Sequence, residues 1–381
     1  MKANLKLISF ICSLVLYVNC VFAQFDSTIS VIDMNDFHSP QKHDAFIRDL
    51  TDALHNYGFV AVVNSGVDVK TLDEAYDAAA KFFASPNELK MSGHAPNLSG
   101  QRGYVPSETA KGSKKKDFKE FYHITREYPE DLKTRYNYKS NIWPQDQKFK
   151  TSMQKLIVAL DQHVAVMEQA ISESMGEKPD FISNMTQHGD YLLRSIYYPS
   201  NPPEDLVWAA AHTDIDMFTI LPRSTAKGLQ LLTAEGKWVD VIVPDNAFVM
   251  NAGDMLQNLT NGYYKSAVHR VMSEAKNVER YSIVAFIHAR PKDQLGPLPK
   301  YVQLVGSKKF ADATQQELLS ERLVDLGLNS PQMLEQLAKS GLMERLVDVN
   351  RASPTAMRAL RDAHLASPKV LAALHKLEEK S

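Results

Sequence analysis

The most constraining feature of this chain is a series of short apolar segments within residues 208–287, separated by turn sequences. Pairs such as Glu235-Gly236 and Asn261-Gly262 mark the turns, and residues 251–254 predict a further turn that reverses the chain. The predicted strands are residues 208–214, 217–221, 228–232, 237–243, 247–251, 266–271 and 280–287. Short strands at regular spacing are typical of an antiparallel sandwich or barrel.

Three residues in this segment, His212, Asp214 and His269, form a candidate metal site. We expect all three on strands, where residues i and i+2 share one face, so that His212 and Asp214 converge on one ion. Two imidazoles and one carboxylate leave coordination positions of Fe(II) open for a cosubstrate and O2, unlike a closed four-ligand site. A chain with 12 histidines contains such a His-x-Asp and His spacing by chance fairly often. The prediction of a metal site therefore depends on the sequence around these residues.

Arg280 and Ser282 lie on one face of the next predicted strand. An inward guanidinium beside a hydroxyl is suited to hold a carboxylate, through two hydrogen bonds from Arg280 and one from Ser282. The alternative for Arg280 alone is a surface ion pair with a nearby glutamate. The neighbouring candidate metal site favours the inward position.

The chain resembles the isopenicillin N synthase-like group of Fe(II)/2-oxoglutarate-dependent oxygenases from about residue 29 to about residue 326. Besides the candidate site, similar segments are Ser30–Met34, Tyr57–Val67, Phe82–Pro86, Gly103-Tyr104, Asp117–Phe121, Asn141–Pro144 and Leu193–Pro199. The resemblance implies a mainly β protein with flanking helices: a double-stranded β-helix, or jelly roll, with an N-terminal α/β region and a helical C-terminal tail. The predicted boundaries are 24–180 for the N-terminal region, 181–300 for the jelly-roll core, 301–328 for a family helix and 329–381 for an extension.

The resemblance also implies roles for individual residues. His212, Asp214 and His269 are the implied iron ligands, and Arg280 and Ser282 would hold the distal carboxylate of 2-oxoglutarate. The second tyrosine of the Tyr-Tyr-Pro motif, Tyr198, is implied as a hydrogen-bonding partner of the cosubstrate. Phe286 is implied as a wall of the substrate cavity.

Four positions depart from the group's pattern. Ile196 removes one polar contact to the cosubstrate, and Ser65 replaces a histidine distant from the metal. His288 and Arg290 stand where relatives often have Asn-Pro, which allows a more polar or anionic substrate, although solvated residues at a strand end are the simpler explanation.

The expected function is an oxygenase that uses Fe(II), 2-oxoglutarate and O2, with ascorbate as a further candidate cofactor. It would hydroxylate, desaturate or cyclise a small-molecule substrate and release succinate and CO2. One alternative is an oxidase like isopenicillin N synthase, which needs no 2-oxoglutarate, or an ethylene- and succinate-forming enzyme. A more remote alternative is a noncatalytic jelly-roll binding protein.

Composition narrows the partners and the architecture. At 381 residues and 44% hydrophobic residues, the chain can bury a large core. The net charge of −2 and the lack of a basic stripe argue against a nucleic-acid partner. We therefore expect a small-molecule partner and no stable membrane insertion, and the oligomeric state stays open.

The N-terminus predicts export. Lys2 and Lys6 precede an apolar run, Leu7–Val18. The segment that follows ends in a small residue, Ala23, as a signal-peptidase cleavage site does. This order is typical of a secretory signal peptide, and the run is too short for a comfortable membrane span. Residues 1–23 would be removed, and the mature protein would be secreted or periplasmic.

The extension beyond residue 328 predicts three short helices. Ser330, Ser353 and Ser367 each precede a proline, the order that places an N-cap before N1. The predicted apolar stripes are Leu334, Leu337 and Leu342, then Met357, Leu360 and His364, then Leu371, Leu374 and Leu377. Packing against the body is the first expectation, with dimerisation or partner binding as alternatives.

Overall fold

The computed structural model describes residues 28–98, 100–109 and 115–379. In these residues the chain forms two β-sheets that face each other, helices that cover the larger sheet, and a helical C-terminal part. The predicted signal peptide, residues 1–23, lies outside the described residues.

The strands are β1 (Val31–Asp33), β2 (Phe59–Val63), β3 (Gly103–Val105), β4 (Glu120–Thr125), β5 (Tyr191–Tyr198), β6 (Ala209–His212), β7 (Phe218–Ser224), β8 (Leu229–Leu232), β9 (Trp238–Asp240), β10 (Phe248–Ala252), β11 (His269–Val271) and β12 (Arg280–Ile287). The helices are α1 (Met34–Phe37), α2 (His43–Asn56), α3 (Val69–Phe83), α4 (Asn87–Met91), α5 (Glu130–Tyr136), α6 (Gln147–Ser174), α7 (Phe181–Thr186), α8 (Asp254–Leu259), α9 (Pro299–Val305), α10 (Gln315–Asp325), α11 (Pro331–Ser340), α12 (Leu342–Asp348), α13 (Pro354–Asp362) and α14 (Pro368–Glu378).

The larger sheet has the strand order β1-β2-β10-β7-β12-β5-β4-β3, and the smaller sheet has the order β6-β11-β8-β9. Apolar residues from both sheets pack together between them, as Tyr198 of β5 does with Trp208 and Val271. This arrangement confirms the predicted jelly-roll core with flanking helices. The predicted boundary at residues 180 and 181 stays a prediction, and strands from both sides of it share the larger sheet.

Helix α6 is the longest element that covers the larger sheet. It begins at Asp146, whose carboxylate accepts hydrogen bonds from the backbone N–H groups of Lys148 and Phe149. Its apolar residues, such as Met153 and Leu160, are fully buried against the sheet. Burial of each such side chain contributes about 1.5–3 kcal/mol to the free energy of folding. Helix α6 therefore covers the outer face of the larger sheet, and the inner face is left for a site.

Two predictions of local structure were wrong. The segment 251–254 does not form a simple reversing turn, because Asp254 begins helix α8. The backbone N–H groups of Asp254 and Met255 donate to Asp214 and Asp216, so the chain enters a helix where a hairpin was expected. The strand predicted at 237–243 is also shorter, since only Trp238–Asp240 pairs with β8.

The extension forms four helices, α11–α14, where three were predicted. Gly341 has a φ of 70° and ends α11 in the left-handed region, so Leu342 begins a separate helix. The predicted capping holds: Ser330, Ser353 and Ser367 each accept a hydrogen bond from the backbone three residues on. The expected stripe of α14 is corrected, because Leu371 and Leu377 are 40% and 39% exposed while Val370 and Leu374 are buried.

The extension packs against the body, as expected. Its buried leucines and methionines share one apolar cluster with Ala311, Ala313 and Val324. Arg345 of α12 also donates to the backbone oxygen of Asp312 and to the carboxylate of Glu317, both at 2.7 Å. Helix α10 is therefore held from one side by the extension. Among the helices of the described residues, none combines the length and the apolar run that crossing a membrane requires.

Candidate metal centre

His212 and His269 lie opposite each other on neighbouring antiparallel strands, β6 and β11. Their ring centroids are 4.4 Å apart. The Nδ1 atom of His212 lies 2.7 Å from the backbone oxygen of Ala210, and that of His269 lies 3.1 Å from the backbone oxygen of Ala267. A proton on each Nδ1 therefore donates to the backbone, and both Nε2 lone pairs remain for a metal.

Asp214 lies in the loop after β6 and not on a strand, which corrects the prediction. The strand ends because the backbone oxygen of Asp214 accepts from Asp254, at 2.8 Å, and not from a β-ladder partner. Its carboxylate accepts hydrogen bonds from Thr219 at 2.7 Å and from Asn251 at 2.9 Å. Thr219 and Asn251 are register partners on β7 and β10, so the larger sheet orients the carboxylate towards the two histidines of the smaller sheet.

The three side chains fit a single metal ion. The Oδ1 atom of Asp214 lies 3.7 Å from Nε2 of both His212 and His269, and one ligand atom from each residue lies within 4.8 Å of the others. Two bonds of roughly 2 Å to one ion allow ligand separations up to about 4 Å. The structure thus brings together the three predicted ligands.

The protonation states also suit metal binding, which needs neutral imidazoles and an ionised carboxylate. Burial, reinforced by His269, lowers the pKa of His212 to about 3. Burial raises the pKa of Asp214, but the two histidines and the bonds from Asn251 and Thr219 outweigh burial and bring it to about 2. At neutral pH His212 is therefore neutral and Asp214 is ionised, as binding of a divalent cation requires.

A small inner pocket of about 70 Å³ lies between the sheets beside the three side chains. Arg280, Ser282 and Tyr198, the three residues that the resemblance assigns to the cosubstrate, line it. The Arg280 side chain is buried, donates to Ser282 Oγ at 3.2 Å and to the backbone oxygen of Ala226 at 3.0 Å, and lies 4.9 Å from the Tyr198 ring centroid. Among the described residues no carboxylate forms an ion pair with Arg280, so the inner pocket contains a buried guanidinium without a counter-charge from the described chain.

A larger chamber of about 500 Å³ adjoins the inner pocket. Residues that line both spaces are Lys119, Arg194, His212, Asp214 and Phe286. His212 and Asp214 therefore stand where the two spaces meet, while His269 lines the inner pocket alone, and Phe286 lies in the wall of both spaces. Helix α10 forms another wall, through Leu319, Arg322 and Leu323.

Two family models match this chain. Residues 29–146 match the model described as "non-haem dioxygenase in morphine synthesis N-terminal", and residues 189–289 match the 2OG-Fe(II) oxygenase superfamily model. A feruloyl CoA ortho-hydroxylase of Ipomoea batatas is 30% identical over 295 residues, which cover 73% of this chain and 75% of the relative. The chain belongs to the 2OG-Fe(II) oxygenase superfamily.

Solved structures agree with this assignment. A 2OG-Fe(II) oxygenase family protein from Caulobacter crescentus is 32% identical and superposes with a TM-score of 0.70, covering 78% of this chain and 98% of its own. A full-length Neurospora crassa protein, solved in complex with alpha-KG, is 25% identical with a TM-score of 0.69, covering 77% of this chain and 95% of its own. The family predicted from the sequence motifs is confirmed.

Several residues of the oxygenase site were missed at the level of sequence. Lys119 and Arg194 were noted only within family-like motifs, yet both face the metal centre. Glu108 pairs with both cations, at 3.0 Å and 3.4 Å. The available signal was Arg194, a charged residue inside the otherwise apolar strand β5, where burial demands a partner. Lys119 and Glu108 lie outside the strands and had no such signal.

Arg322 is a further missed residue of the oxygenase. Its guanidinium donates to the backbone oxygen of Thr213 at 2.8 Å, to Thr213 Oγ1 at 3.2 Å, and to the carboxylate of Asp254. Because Thr213 stands between two candidate ligands, Arg322 fixes the loop that presents Asp214. No local pattern connects a helix near residue 320 with this loop.

The predictions for His288 and Arg290 need correction. His288 is buried and lines the chamber, so it is not a solvated strand-end residue. Burial lowers its pKa, although Asp190 acts in the opposite direction, and its ring is neutral at pH 7. Arg290 pairs with Asp293 at 3.1 Å outside the chamber lining. Neither residue supplies a cation for an anionic substrate.

Proposed function

We propose that this chain is an Fe(II)- and 2-oxoglutarate-dependent oxygenase that oxidises a small molecule and releases succinate and CO2. The observation that carries the proposal is the meeting of two spaces at one metal site. A small anion pocket around Arg280 and a large, mostly apolar chamber both open onto His212 and Asp214. The Neurospora crassa protein, which shares this fold, was solved with alpha-KG.

The residue roles in this proposal follow from the contacts. His212, Asp214 and His269 would hold Fe(II), the donor set typical of iron sites that keep positions open. Arg280 and Ser282 would bind the distal carboxylate of 2-oxoglutarate, and Tyr198 packs against the guanidinium. When bound, the iron supplies the activation of O2 that couples decarboxylation of 2-oxoglutarate to oxidation of a substrate carbon.

The protein contributes orientation and exclusion of water. Thr219 and Asn251 hold the Asp214 carboxylate by two hydrogen bonds, so the ligand does not rotate when a metal binds. Arg280 fixes the far end of a dicarboxylate and thereby the position of its 2-oxo group. Phe286 and the α10 leucines form a dry wall, which positions a substrate carbon near the iron and protects the reaction from solvent.

The experiment that tests this function has two stages. Anaerobic addition of Fe(II) and 2-oxoglutarate to the protein should produce the metal-to-ligand charge-transfer band of a chelated 2-oxo acid. Exposure to air should then release succinate, slowly without substrate and faster with one. Iron binding without this band would contradict the assignment and would favour an oxidase that needs no 2-oxoglutarate.

We further propose that the mature protein is secreted or periplasmic. The support is the order of Lys2, Lys6, the apolar run Leu7–Val18 and the small residue Ala23. Expression of the full chain in its host, followed by fractionation and N-terminal sequencing, should give a mature terminus near Gln24 in the exported fraction. A full-length N-terminus in the cytosolic fraction would contradict export.

A further inference from the structure

The inner end of the substrate chamber is lined by a compact group of charged side chains. Lys119 and Arg194 face both the chamber and the metal centre, so a substrate carbon that approaches the iron lies beside them. Glu108 and Asp117 line the same part of the chamber. This group therefore supplies the charges that a substrate would meet at the inner end of the chamber.

Each lysine and arginine in the described chamber lining already has a carboxylate partner. Lys119 Nζ lies 2.7 Å from Asp117 and 3.0 Å from Glu108, and Arg194 Nη1 lies 3.4 Å from Glu108. Arg322 pairs with Asp254. The inner end thus holds two cations and two carboxylates, and its charge is balanced.

The protonation states maintain this balance. Burial raises the pKa of Glu108, but Arg194 and Lys119 outweigh burial and hold it well below its usual range. Burial, reinforced by Arg194, lowers the pKa of the neighbouring His123 well below its usual value. At neutral pH Glu108 is therefore ionised, His123 is neutral, and neither adds an unbalanced positive charge.

The inner pocket presents the opposite case. Arg280 is buried beside Ser282 and Tyr198, and no carboxylate of the described residues forms an ion pair with it. A buried guanidinium of this kind calls for an anionic ligand, whereas a balanced cluster does not. The inner pocket thus contains an unpaired guanidinium, whereas the lysine and arginines of the described chamber lining are paired.

The remaining chamber surface is largely apolar. The apolar side chains that line it include Val105, Phe121, Leu192, Phe286, Leu319 and Leu323. The guanidinium of Arg194 lies 4.2 Å from the Phe121 ring centroid and 5.1 Å from that of Phe286, and its Nε donates to His123. Arg194 is therefore fixed in orientation, with N–H groups on its terminal nitrogens beside the Glu108 carboxylate.

We propose that the chamber selects an uncharged substrate that has an apolar body and one polar edge that both donates and accepts hydrogen bonds, and that Glu108 sets this selectivity. An amide or lactam edge has the required chemistry: its N–H faces the Glu108 carboxylate and its carbonyl faces Arg194. An anionic substrate would meet the Glu108 carboxylate, and the part of the chain that the structure describes offers it no unpaired cation in the chamber. This inference rests on the proposed function for the identity of the chamber as the substrate site.

The test compares two probes of matched size, 3-phenylpropanamide and 3-phenylpropanoate, by isothermal titration calorimetry. The proteins are the wild type, Glu108→Gln, Glu108→Asp and the control Glu127→Gln, which removes an exposed carboxylate outside the chamber lining. Glu108→Gln preserves the size of the side chain and leaves Lys119 paired with Asp117. Far-ultraviolet circular dichroism and the melting temperature verify that each variant is folded.

We expect the wild type, Glu108→Asp and Glu127→Gln to favour the amide, and Glu108→Gln to bind the carboxylate about tenfold or more tightly than the wild type, because one positive charge becomes unbalanced. Gain of carboxylate binding in Glu108→Gln alone supports the proposal even where the wild type binds neither probe. Equal carboxylate binding in the wild type and Glu108→Gln, weak or strong, overturns it. So does a wild type that prefers the carboxylate while 2-oxoglutarate occupies the inner pocket.

Each titration is performed on the metal-free protein and on the protein loaded with Fe(II) and 2-oxoglutarate under anaerobic conditions. The comparison between wild type and Glu108→Gln within one loading state removes the contribution of the metal charge. Absence of Fe(II) and 2-oxoglutarate binding would refute the proposed function, while the metal-free comparison would still decide the charge selectivity of the chamber.

Discussion

Replacement of Arg280 by alanine should weaken 2-oxoglutarate binding far more than replacement of any arginine outside the inner pocket. Arg280 is 2% exposed, and its nearest polar partners are Ser282 and the backbone of Ala226. In the complex, its guanidinium would be the counter-charge of a buried carboxylate. Removing one member of such a pair costs about 3–5 kcal/mol, which raises Kd by roughly two to three and a half orders of magnitude.

Arg280→Lys should have a smaller effect, about tenfold, because an ammonium keeps the charge but loses the paired geometry of the guanidinium. The matched control is Arg290→Ala, which removes a half-buried arginine whose partner, Asp293, lies outside the inner pocket. Anaerobic titration of the Fe(II) protein with 2-oxoglutarate, followed at the charge-transfer band, measures each Kd.

A second ligand separates loss of a contact from general damage. The compound 2-oxopentanoate has a methyl group where 2-oxoglutarate has its distal carboxylate, and both chelate a metal through the 2-oxo acid. The wild type should prefer 2-oxoglutarate strongly, and Arg280→Ala should lose most of that preference. If Arg280→Ala bound 2-oxoglutarate as tightly as the wild type, or kept the full preference, the role assigned to Arg280 would be wrong.

Other predictions concern the metal, the core and the extension. Asp214→Ala should abolish stoichiometric Fe(II) binding after desalting, and full iron occupancy in this variant would refute the ligand set. Burial lowers the pKa of His163 to about 4 from 6.5, so the unfolded chain binds the proton more tightly and stability falls as the pH drops below 6.5. Between pH 7 and pH 5 this group alone contributes a loss of about 2 kcal/mol in urea unfolding, and His163→Met should reduce the loss by that amount; an unchanged pH dependence would exclude His163 as its source. Arg345→Met should remove the ion pair with Glu317, which stabilises α10 by about 1 kcal/mol. Hydrogen exchange in α10 should then rise by about fivefold. Unchanged exchange in α10 would show that the Arg345–Glu317 ion pair does not stabilise this helix.

The sequence was sufficient for the parts of the site that depend on short-range order. His212 ends a short apolar strand, His269 lies on a strand with alternating burial, and Arg280 and Ser282 share a face because residues i and i+2 do so on any strand. The motif resemblance located the inner pocket, including Tyr198.

What the sequence did not reveal depends on contacts between distant segments. Asp214 lies outside the strand because its oxygen atoms accept hydrogen bonds from Asp254, Thr219 and Asn251. Those three donors belong to three other elements of the fold. The Glu108 cluster likewise requires the β4–β5 pairing, which places Arg194 of β5 opposite His123. Such pairings are set by tertiary structure and have no local signature.

The position of α10 has a consequence for biosynthesis. The helix contributes Arg322 to the loop of Asp214 on one side and Val324 to the extension on the other. The ribosome makes α10–α14 after every described strand of the jelly roll, and during synthesis the N-terminal units of a chain generally fold first. The strands can therefore assemble while one wall of the chamber is still missing, and the nascent oxygenase would pass through a stage with an open reaction site that closes only when α10 and its helices dock.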